Sequence, residues 1–170
     1  MIEYICTMNY FELFGLPISL QVDKKELSKK YFGLQKKFHP DFFAQSDEEE
    51  QRVALETSSL ANKALKVLQS PHQTIQYVLQ LKGLIKDDQK YQLPPAFLME
   101  MMELNEKLVE QSPEDFRKEL AELEAEIDES AREVIENYDD TAVSDQQLST
   151  LHEYYFKKKY LQRILDRLDD

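Results

Sequence analysis

Apolar residues recur every third or fourth position along almost the whole chain, which is the spacing of one face of an α-helix. Near the beginning, Asn9 is a suitable N-cap for a short helix, and Gly15 is a stop signal soon after it. Asp23 and Glu26 then form a capping box ahead of the clearest stripe. The members of that stripe are Leu27, Tyr31, Leu34 and Phe38. The spacing predicts a helix from about Asp23 to Phe38.

Proline residues divide the rest of the first half of the chain. Pro40 fixes its own backbone and disfavours the helical conformation of the residue before it, so the helix ends there and a loop follows. Ser46 and Glu49 form a second capping box, and the helix that they start ends before Pro71. A further short helix is predicted up to Gly83.

A polar stretch that ends in two prolines, residues 87–95, separates this part from three more helical stripes. The first stripe starts at Phe97, the second follows Ser112, and the third follows the polar residues 139–144. Short connections between three amphipathic helices favour an antiparallel bundle. We therefore predict an all-α protein in which residues 1–83 form a helical hairpin with flanking short helices, residues 84–95 a linker and residues 96–170 a three-helix bundle.

Composition and charge narrow the classes of function. The chain has 170 residues, a single Cys and a formal net charge of −12. Residues 97–140 hold 16 acidic and four basic residues, so the excess of negative charge lies in the second part. This charge argues against nucleic acid as a partner. Because no apolar run is long enough to span a membrane and no export signal precedes the first helix, we expect a cytoplasmic protein without a membrane partner.

The loop His39-Pro40-Asp41 is the strongest local signal for function. The tripeptide alone is ordinary turn chemistry. The helix before it, however, carries six lysines against two acidic residues, although mixed signs are typical of a solvated helix. These lysines are Lys24, Lys25, Lys29, Lys30, Lys36 and Lys37. The pattern indicates a basic surface beside the loop.

A second candidate surface lies on the helix that begins near Phe97. Its core stripe already supplies one apolar face, yet Leu98, Met99 and Met102 are apolar as well and lie beside that stripe. Glu103 and Glu106 flank them, which would give an apolar centre with an acidic rim. A helix in a three-helix bundle touches two neighbours, so a wide buried stripe is the alternative interpretation.

The stretch from Asn9 to Phe43, NYFELFGLPISLQVDKKELSKKYFGLQKKFHPDFF, closely resembles a J domain, the module that docks on DnaK-type ATPase chaperones. Together with the segment 62–83 and the motif FLMExxEL at residues 97–104, it resembles the HscB family of co-chaperones in iron-sulfur cluster assembly. The resemblance covers nearly the whole chain. It implies a J domain over residues 1–83, in which the six lysines and the loop His39-Pro40-Asp41 bind an HscA or DnaK-type chaperone and stimulate its ATP hydrolysis.

The same resemblance implies a binding site for the iron-sulfur scaffold protein IscU on the second part of the chain. The motif match carries this role to Leu98, Met99, Met102, Glu103 and Glu106. In the last helix, Phe156, Tyr160 and Ile164 form a second stripe, which adds Tyr160 to the candidates. The alternative is a general J-domain adaptor, in which the acidic bundle binds a different client protein.

The sequence does not favour an enzyme. His39 and Asp41 could serve as a base and its orienting acid, but no Ser or Cys nucleophile has a recognisable context and no glycine-rich phosphate loop is present. A single Cys cannot supply a multi-cysteine metal site, and the carboxylates of residues 97–140 lack the spacing of a calcium loop. We therefore expect no catalytic residues, no metal and no cofactor.

Overall fold

The computed structural model describes residues 8–86, 91–107 and 112–169. Within these residues the fold is all-helical, with seven α-helices, one short 3₁₀-helix and no strand. The chain divides into two compact units, Met1–Val78 (unit 1) and Leu79–Asp170 (unit 2). The predicted fold class is confirmed. The boundary that the sequence suggests, between residues 83 and 95, lies a few residues beyond this division.

Unit 1 is organised around a helical hairpin. Its helices are α1 (Tyr10–Phe14), α2 (Lys24–Phe38), a 3₁₀-helix (Pro40–Phe43) and α3 (Glu48–Leu68), followed by α4 (Pro71–Leu81), which continues into unit 2. The Asn9 side chain caps α1 in a full capping box with Glu12, and the Asp23 side chain accepts hydrogen bonds from two backbone N–H groups at the start of α2. Both N-cap residues are the ones that the sequence predicts, although at Asp23 the structure shows the side-chain cap without the reciprocal Glu26 bond of a capping box.

The start of α3 differs from the prediction by one residue. Asp47, not Ser46, is the N-cap, and its side chain accepts a hydrogen bond from the backbone N–H of Glu50 at 2.8 Å. The backbone N–H of Ser46 instead donates to the carbonyl of Phe43 at 3.0 Å. The Ser46 carbonyl accepts from the Gln51 side-chain amide at 2.9 Å, while the backbone N–H of Gln51 donates to the Asp47 carbonyl at 3.0 Å. The first helical hydrogen bond therefore ends on Asp47, and Ser46 belongs to the preceding turn.

The core of unit 1 holds α1 against the hairpin. Phe11 and Leu27 are completely buried, and Phe14 is nearly so. On α3 the buried positions facing them are small, with Ala54, Ala61 and Ala64 all at 0% exposure. Small side chains on α3 let its neighbours approach closely while the larger aromatic and leucine side chains fill the space between them. This packing holds the hairpin, and with it the loop at its turn.

Unit 2 contains a three-helix bundle of α5 (Pro95–Lys107), α6 (Pro113–Glu136) and α7 (Asp145–Asp169). Its core draws on all three helices, and the buried members are Phe97, Met101, Leu104, Phe116, Leu120, Ile127, Leu161 and Ile164. Ser112 caps α6, as predicted, by accepting from the backbone N–H of Asp115. Leu108, the last residue of the predicted α5 stripe, lies outside the described residues.

Polar contacts show that α6 and α7 run antiparallel. Lys158 on α7 pairs with Glu124 and Asp128 on α6, while Tyr154, one turn earlier on α7, donates to Asp128 at 3.0 Å. Burial works against the charge of the Lys158 ammonium, but its hydrogen bonds to the two carboxylates prevail and raise the pKa of Lys158. Among the helices of the described ranges, none is both long enough and apolar enough to cross a membrane.

Candidate functional site

The turn of the unit 1 hairpin is positioned by hydrogen bonds between its two arms. The Tyr31 hydroxyl and the Gln35 amide of α2 both donate to the Asn62 side-chain oxygen of α3, at 2.8 and 3.0 Å. The Ser58 hydroxyl, nearly buried at 8% exposure, donates to the Gln35 oxygen at 3.1 Å. Gln35 is therefore bonded to both positions on α3, which fixes the register of the two helices close to the turn.

His39 ends α2 with an extended backbone, at φ −65° and ψ 128°, and Pro40 opens the 3₁₀-helix directly after it. The sequence predicts a loop for His39, Pro40 and Asp41. In the structure, Pro40 and Asp41 are instead the first two residues of the 3₁₀-helix. The backbone N–H of Asp41 donates to His39 Nδ1 at 3.3 Å, and the Asp41 carboxylate lies 3.6 Å from the same nitrogen.

The backbone hydrogen bond orients the His39 ring at the turn. Because His39 Nδ1 accepts a hydrogen bond, the proton of the neutral ring lies on Nε2. The side chains of His39 and Asp41 are 47% and 85% exposed, so both are available to another molecule. Pro40 between them cannot change its φ, which limits how far the two groups can move apart.

The six lysines of α2 are exposed at every position that the sequence singles out. They are Lys24, Lys25, Lys29, Lys30, Lys36 and Lys37. Within the described ranges, none of them lies within salt-bridge distance of a carboxylate; this contrasts with Lys158, which is held by two carboxylates in unit 2. Helix α2 therefore presents uncompensated positive charge beside the turn. We call residues 24–42, which include α2, the turn and Phe42, the docking segment.

Helix α5 has one buried apolar face and a second, exposed group of apolar side chains. Phe97, Met101 and Leu104 are buried in the bundle core, whereas Met99 and Met102 are 63% and 64% exposed. The alternative of one wide buried stripe is therefore wrong for the two methionines. Leu98 is intermediate in exposure, and Glu103 and Glu106 are exposed. We call the set Leu98, Met99, Met102, Glu103, Glu106 and Tyr160 the α5 patch.

A groove of about 470 Å³ lies beside the α5 patch. It is lined by Tyr91, Gln92, Leu93, Leu98, Phe156, Lys159, Tyr160 and Arg163. The Tyr160 ring stands edge-on to the buried Phe97 ring, with 5.8 Å between the centroids, which places Tyr160 at the junction of core and groove. The structure thus brings Tyr160 and Leu98 together in one depression, with Met99 and Met102 exposed on α5.

The floor of the groove is aromatic. Tyr91 and Phe156 stack with centroids 4.6 Å apart and an angle of 16°, and burial, aided by the nearby Glu153 carboxylate, raises the pKa of the Tyr91 hydroxyl. Lys159 lies over the Phe156 ring at 5.9 Å. Tyr91, Lys159 and Arg163 are absent from the sequence prediction. The spacing of 156, 159, 160 and 163 on one helix face is a signal that could have found the two basic residues.

A helical hairpin with a His-Pro-Asp turn and a basic second helix, joined to a separate helical bundle, defines a J-domain protein with an additional helical unit. Residues 93–169 match the family model described as the HSCB C-terminal oligomerisation domain. Over 102 residues the chain is 43% identical to the co-chaperone protein HscB homolog of Vibrio cholerae, in an alignment that covers 59% of this chain and 60% of that relative. The homolog of Vibrio vulnificus is 43% identical over 104 residues, which is 61% of each chain.

Solved structures extend the likeness to nearly all of the chain. The crystal structure of the human co-chaperone protein HscB matches with a TM-score of 0.77 and 28% identity, over 96% of this chain and 81% of that one. Chaperone HscB from Vibrio cholerae matches with a TM-score of 0.62 and 32% identity, over 95% of this chain and 99% of that one. The chain belongs to the HscB family.

The resemblance found in the sequence is thereby confirmed. In sequence, however, the chain spans about 60% of the length of the curated relatives that it matches. Those relatives are named as co-chaperones.

Proposed function

We propose that this protein is a co-chaperone that stimulates ATP hydrolysis by an HscA or DnaK-type chaperone and delivers the iron-sulfur scaffold protein IscU to it. In this function the docking segment binds the chaperone, and the α5 patch binds the scaffold. The reaction aids the assembly and transfer of iron-sulfur clusters in the cytoplasm. The protein itself contributes no catalytic group and no cofactor.

The observation that carries the proposal is the presence of two exposed surfaces of opposite character in two separate units. The docking segment has six exposed lysines, none with a carboxylate partner among the described residues, beside an exposed His39 and Asp41. Unpaired positive charge accelerates encounter with an acidic surface. The turn then presents one imidazole and one carboxylate close together to the ATPase.

The α5 patch has the composition of a protein-binding site. Flexible methionine side chains adapt to the shape of a partner, and Met99 and Met102 both expose more than half of their surface. Glu103 and Glu106 provide a polar, acidic rim. Leu98 and Tyr160 line the groove beside them, and an apolar side chain of the scaffold can fit into this groove.

Joining the two surfaces in one chain explains how modest contacts suffice. A scaffold bound to unit 2 is held close to a chaperone bound to unit 1, so its local concentration at the chaperone rises to the order of mM for a short connection. The His39 turn triggers ATP hydrolysis while the client is present. Client delivery and ATP hydrolysis are thereby coupled in time.

The direct test is single-turnover ATP hydrolysis by HscA and by DnaK, with this protein added, with and without IscU. We expect stimulation that increases further with IscU and falls to the basal rate in Asp41→Asn, because that substitution removes the exposed carboxylate at the turn. Glu50→Gln, an exposed acidic position on α3, is the matched control and should stimulate normally. Scaffold binding by Asp41→Asn should equal that of the wild type.

The reciprocal test replaces the apolar centre of the α5 patch. Leu98→Ala combined with Met99→Ala should weaken IscU binding by about tenfold or more, measured by titration calorimetry, because it removes two apolar contacts from the interface centre. Gln162→Ala, exposed on α7 outside the groove, is the control. Loss of both activities in both mutants would refute the two-site mechanism. Stimulation without any response to IscU would instead favour the general J-domain adaptor with a different client.

A further inference from the structure

Two phenylalanines of the docking segment are exposed to an extent that packing in unit 1 does not explain. Phe32 on α2 is 68% exposed and Phe42 in the 3₁₀-helix is 70% exposed. The Phe32 ring contacts the neighbouring Tyr31 ring edge-on at 5.5 Å, and the Phe42 ring contacts His39 edge-on at 5.9 Å. Most of both rings remains in water, while the core of the unit is filled by other aromatic and aliphatic side chains.

Phe32 lies in the middle of the lysine surface. Lys25, Lys29, Phe32 and Lys36 are separated by four, three and four residues, which is the spacing of one face of a helix. All four are exposed. Lys29 and Lys36 are each one helical turn from Phe32, on either side of it along the helix.

The row continues past the end of α2 to the turn. His39 follows Lys36 by three residues, and its ring touches that of Phe42. The exposed residues Phe32, Lys36, His39 and Phe42 thus follow one another towards the turn, with one basic and one ionisable side chain between the two rings. Single exposed apolar residues are normal on a protein surface. Here, however, two of them lie in one row with lysines that pair with no carboxylate of the described residues, which makes this surface distinctive.

We propose that Phe32 and Phe42 are apolar anchors of the chaperone-docking surface, and that the partner is the acidic surface of an HscA or DnaK-type chaperone with apolar depressions between its carboxylates. This inference rests on the proposed function and deepens it. The lysines set the rate and orientation of encounter, and salt screens their contribution. The two rings, once buried, supply affinity that salt does not screen, as aromatic side chains at interface centres do.

The charge of the whole chain favours an acidic protein over two other classes of partner that a surface of lysines and aromatic rings could bind. A single-stranded nucleic acid or an anionic membrane would also attract lysines with interleaved aromatic rings. Both carry a high density of negative charge, and a protein with a net charge of −12 is repelled by them outside the docking segment. An acidic patch on a folded partner is small enough to meet the docking segment alone.

The test measures the dissociation constant of the full chain for HscA and for DnaK at low and high ionic strength. Phe32→Gln and Phe42→Gln should each weaken binding by about tenfold at both salt concentrations, leaving the salt dependence unchanged. Lys36→Gln should instead reduce the salt dependence. Leu81→Gln, an exposed apolar position outside both candidate surfaces, is the matched control and should bind normally. Thermal unfolding should be unaffected in both Phe variants, because their rings are exposed.

The outcomes separate this inference from the function on which it rests. If the wild type binds and stimulates a chaperone while both Phe variants bind within about twofold of it, the anchors are refuted and the co-chaperone function stands. If the wild type binds neither chaperone, the proposed function fails first. If wild-type binding to anionic phospholipid vesicles or to a single-stranded oligonucleotide is lost in Phe32→Gln while chaperone binding is unchanged, the assignment to an acidic protein surface is wrong.

Discussion

In the docking segment the exposed groups follow one another along a single helix and its turn, whereas the groove beside the α5 patch joins side chains from helices far apart in the sequence. The docking segment depends on local geometry, namely the helical period, the cap at Asp23 and the fixed φ of Pro40. The groove depends on the packing of α5 against α7 through Phe97 and Tyr160. A surface built along one helix, such as the docking segment, tolerates changes in the distant core. A surface built between packed helices, such as the groove, does not.

The largest expected effect comes from removing a central core residue of unit 2. Phe116 is completely buried in the bundle core, so Phe116→Ala should lower the free energy of unfolding of this unit by about 3–5 kcal/mol. Scaffold binding should fall steeply, because the groove is assembled by that core. Stimulation of the chaperone ATPase without scaffold should persist, since the docking segment lies in unit 1.

Denaturant unfolding followed by circular dichroism, together with the ATPase assay, measures both parts of this prediction. Glu126→Ala, exposed on the same helix, serves as the control and should change neither stability nor binding appreciably. If Phe116→Ala abolished ATPase stimulation as completely as scaffold binding, the two units would fold as one cooperative body and the contrast between their surfaces would be lost.

A smaller effect is expected where the docking segment does depend on tertiary contacts. Gln35 bonds Asn62 and Ser58 across the hairpin, so Gln35→Ala removes both contacts and leaves the nearly buried Ser58 hydroxyl without its acceptor. The cost should be about 1–2 kcal/mol. Amide hydrogen exchange in the last turns of α2 should accelerate accordingly. Gln45→Ala, exposed beyond the turn, should leave exchange unchanged; equal protection in both variants would mean that the hydrogen bonds do not hold the turn.

The same contrast explains how much of the molecule could be predicted from its sequence. Helix α2, its cap at Asp23 and its end before Pro40 follow from local rules, and the structure places them as predicted. The helical spacing sets Met99 and Met102 beside the core stripe of Phe97 and Met101, but it leaves a wide buried stripe open, and only the structure shows that the two methionines are exposed. Motif resemblance supplied the family, which periodicity alone would not have done.

The remaining features depend on contacts that no single helix encodes. The place of Tyr91 in the groove results from its stacking on Phe156, and residue 91 precedes α5 in a stretch without helical periodicity. Asp47 and not Ser46 is the cap because the first helical hydrogen bond, from the backbone N–H of Gln51, ends on the Asp47 carbonyl. The 3₁₀-helix that leaves Ser46 in the preceding turn is not visible in the apolar pattern. The positions that sequence reasoning misses are thus those where one element meets another.

The smallest expected effect concerns His152, which lies in the aromatic floor beside the groove. Its ring stands edge-on to Tyr91 at 4.7 Å and to Phe156 at 5.0 Å, and among the described residues no hydrogen-bond partner reaches its buried Nε2. Burial lowers the pKa of His152, and a hydrogen bond to the backbone of Leu84 offsets this only in part. The folded protein therefore keeps this imidazole neutral at a pH where the unfolded chain protonates it.

The sign of the pH dependence follows from that difference. As the pH falls below about 6.5, His152 binds a proton in the unfolded state but stays neutral in the folded state. The free energy of unfolding of unit 2 therefore declines with decreasing pH. His152→Phe keeps the ring packing and removes the titration. It should flatten the change in unfolding free energy between about pH 7.5 and 5.5 by roughly a few tenths of a kcal/mol, after allowance for solvent screening. His152→Gln should flatten it equally but lower stability at every pH, because it also removes the stacked ring. A slope that survives in both variants would show that another group titrates, and the packing of the groove floor would then be independent of pH.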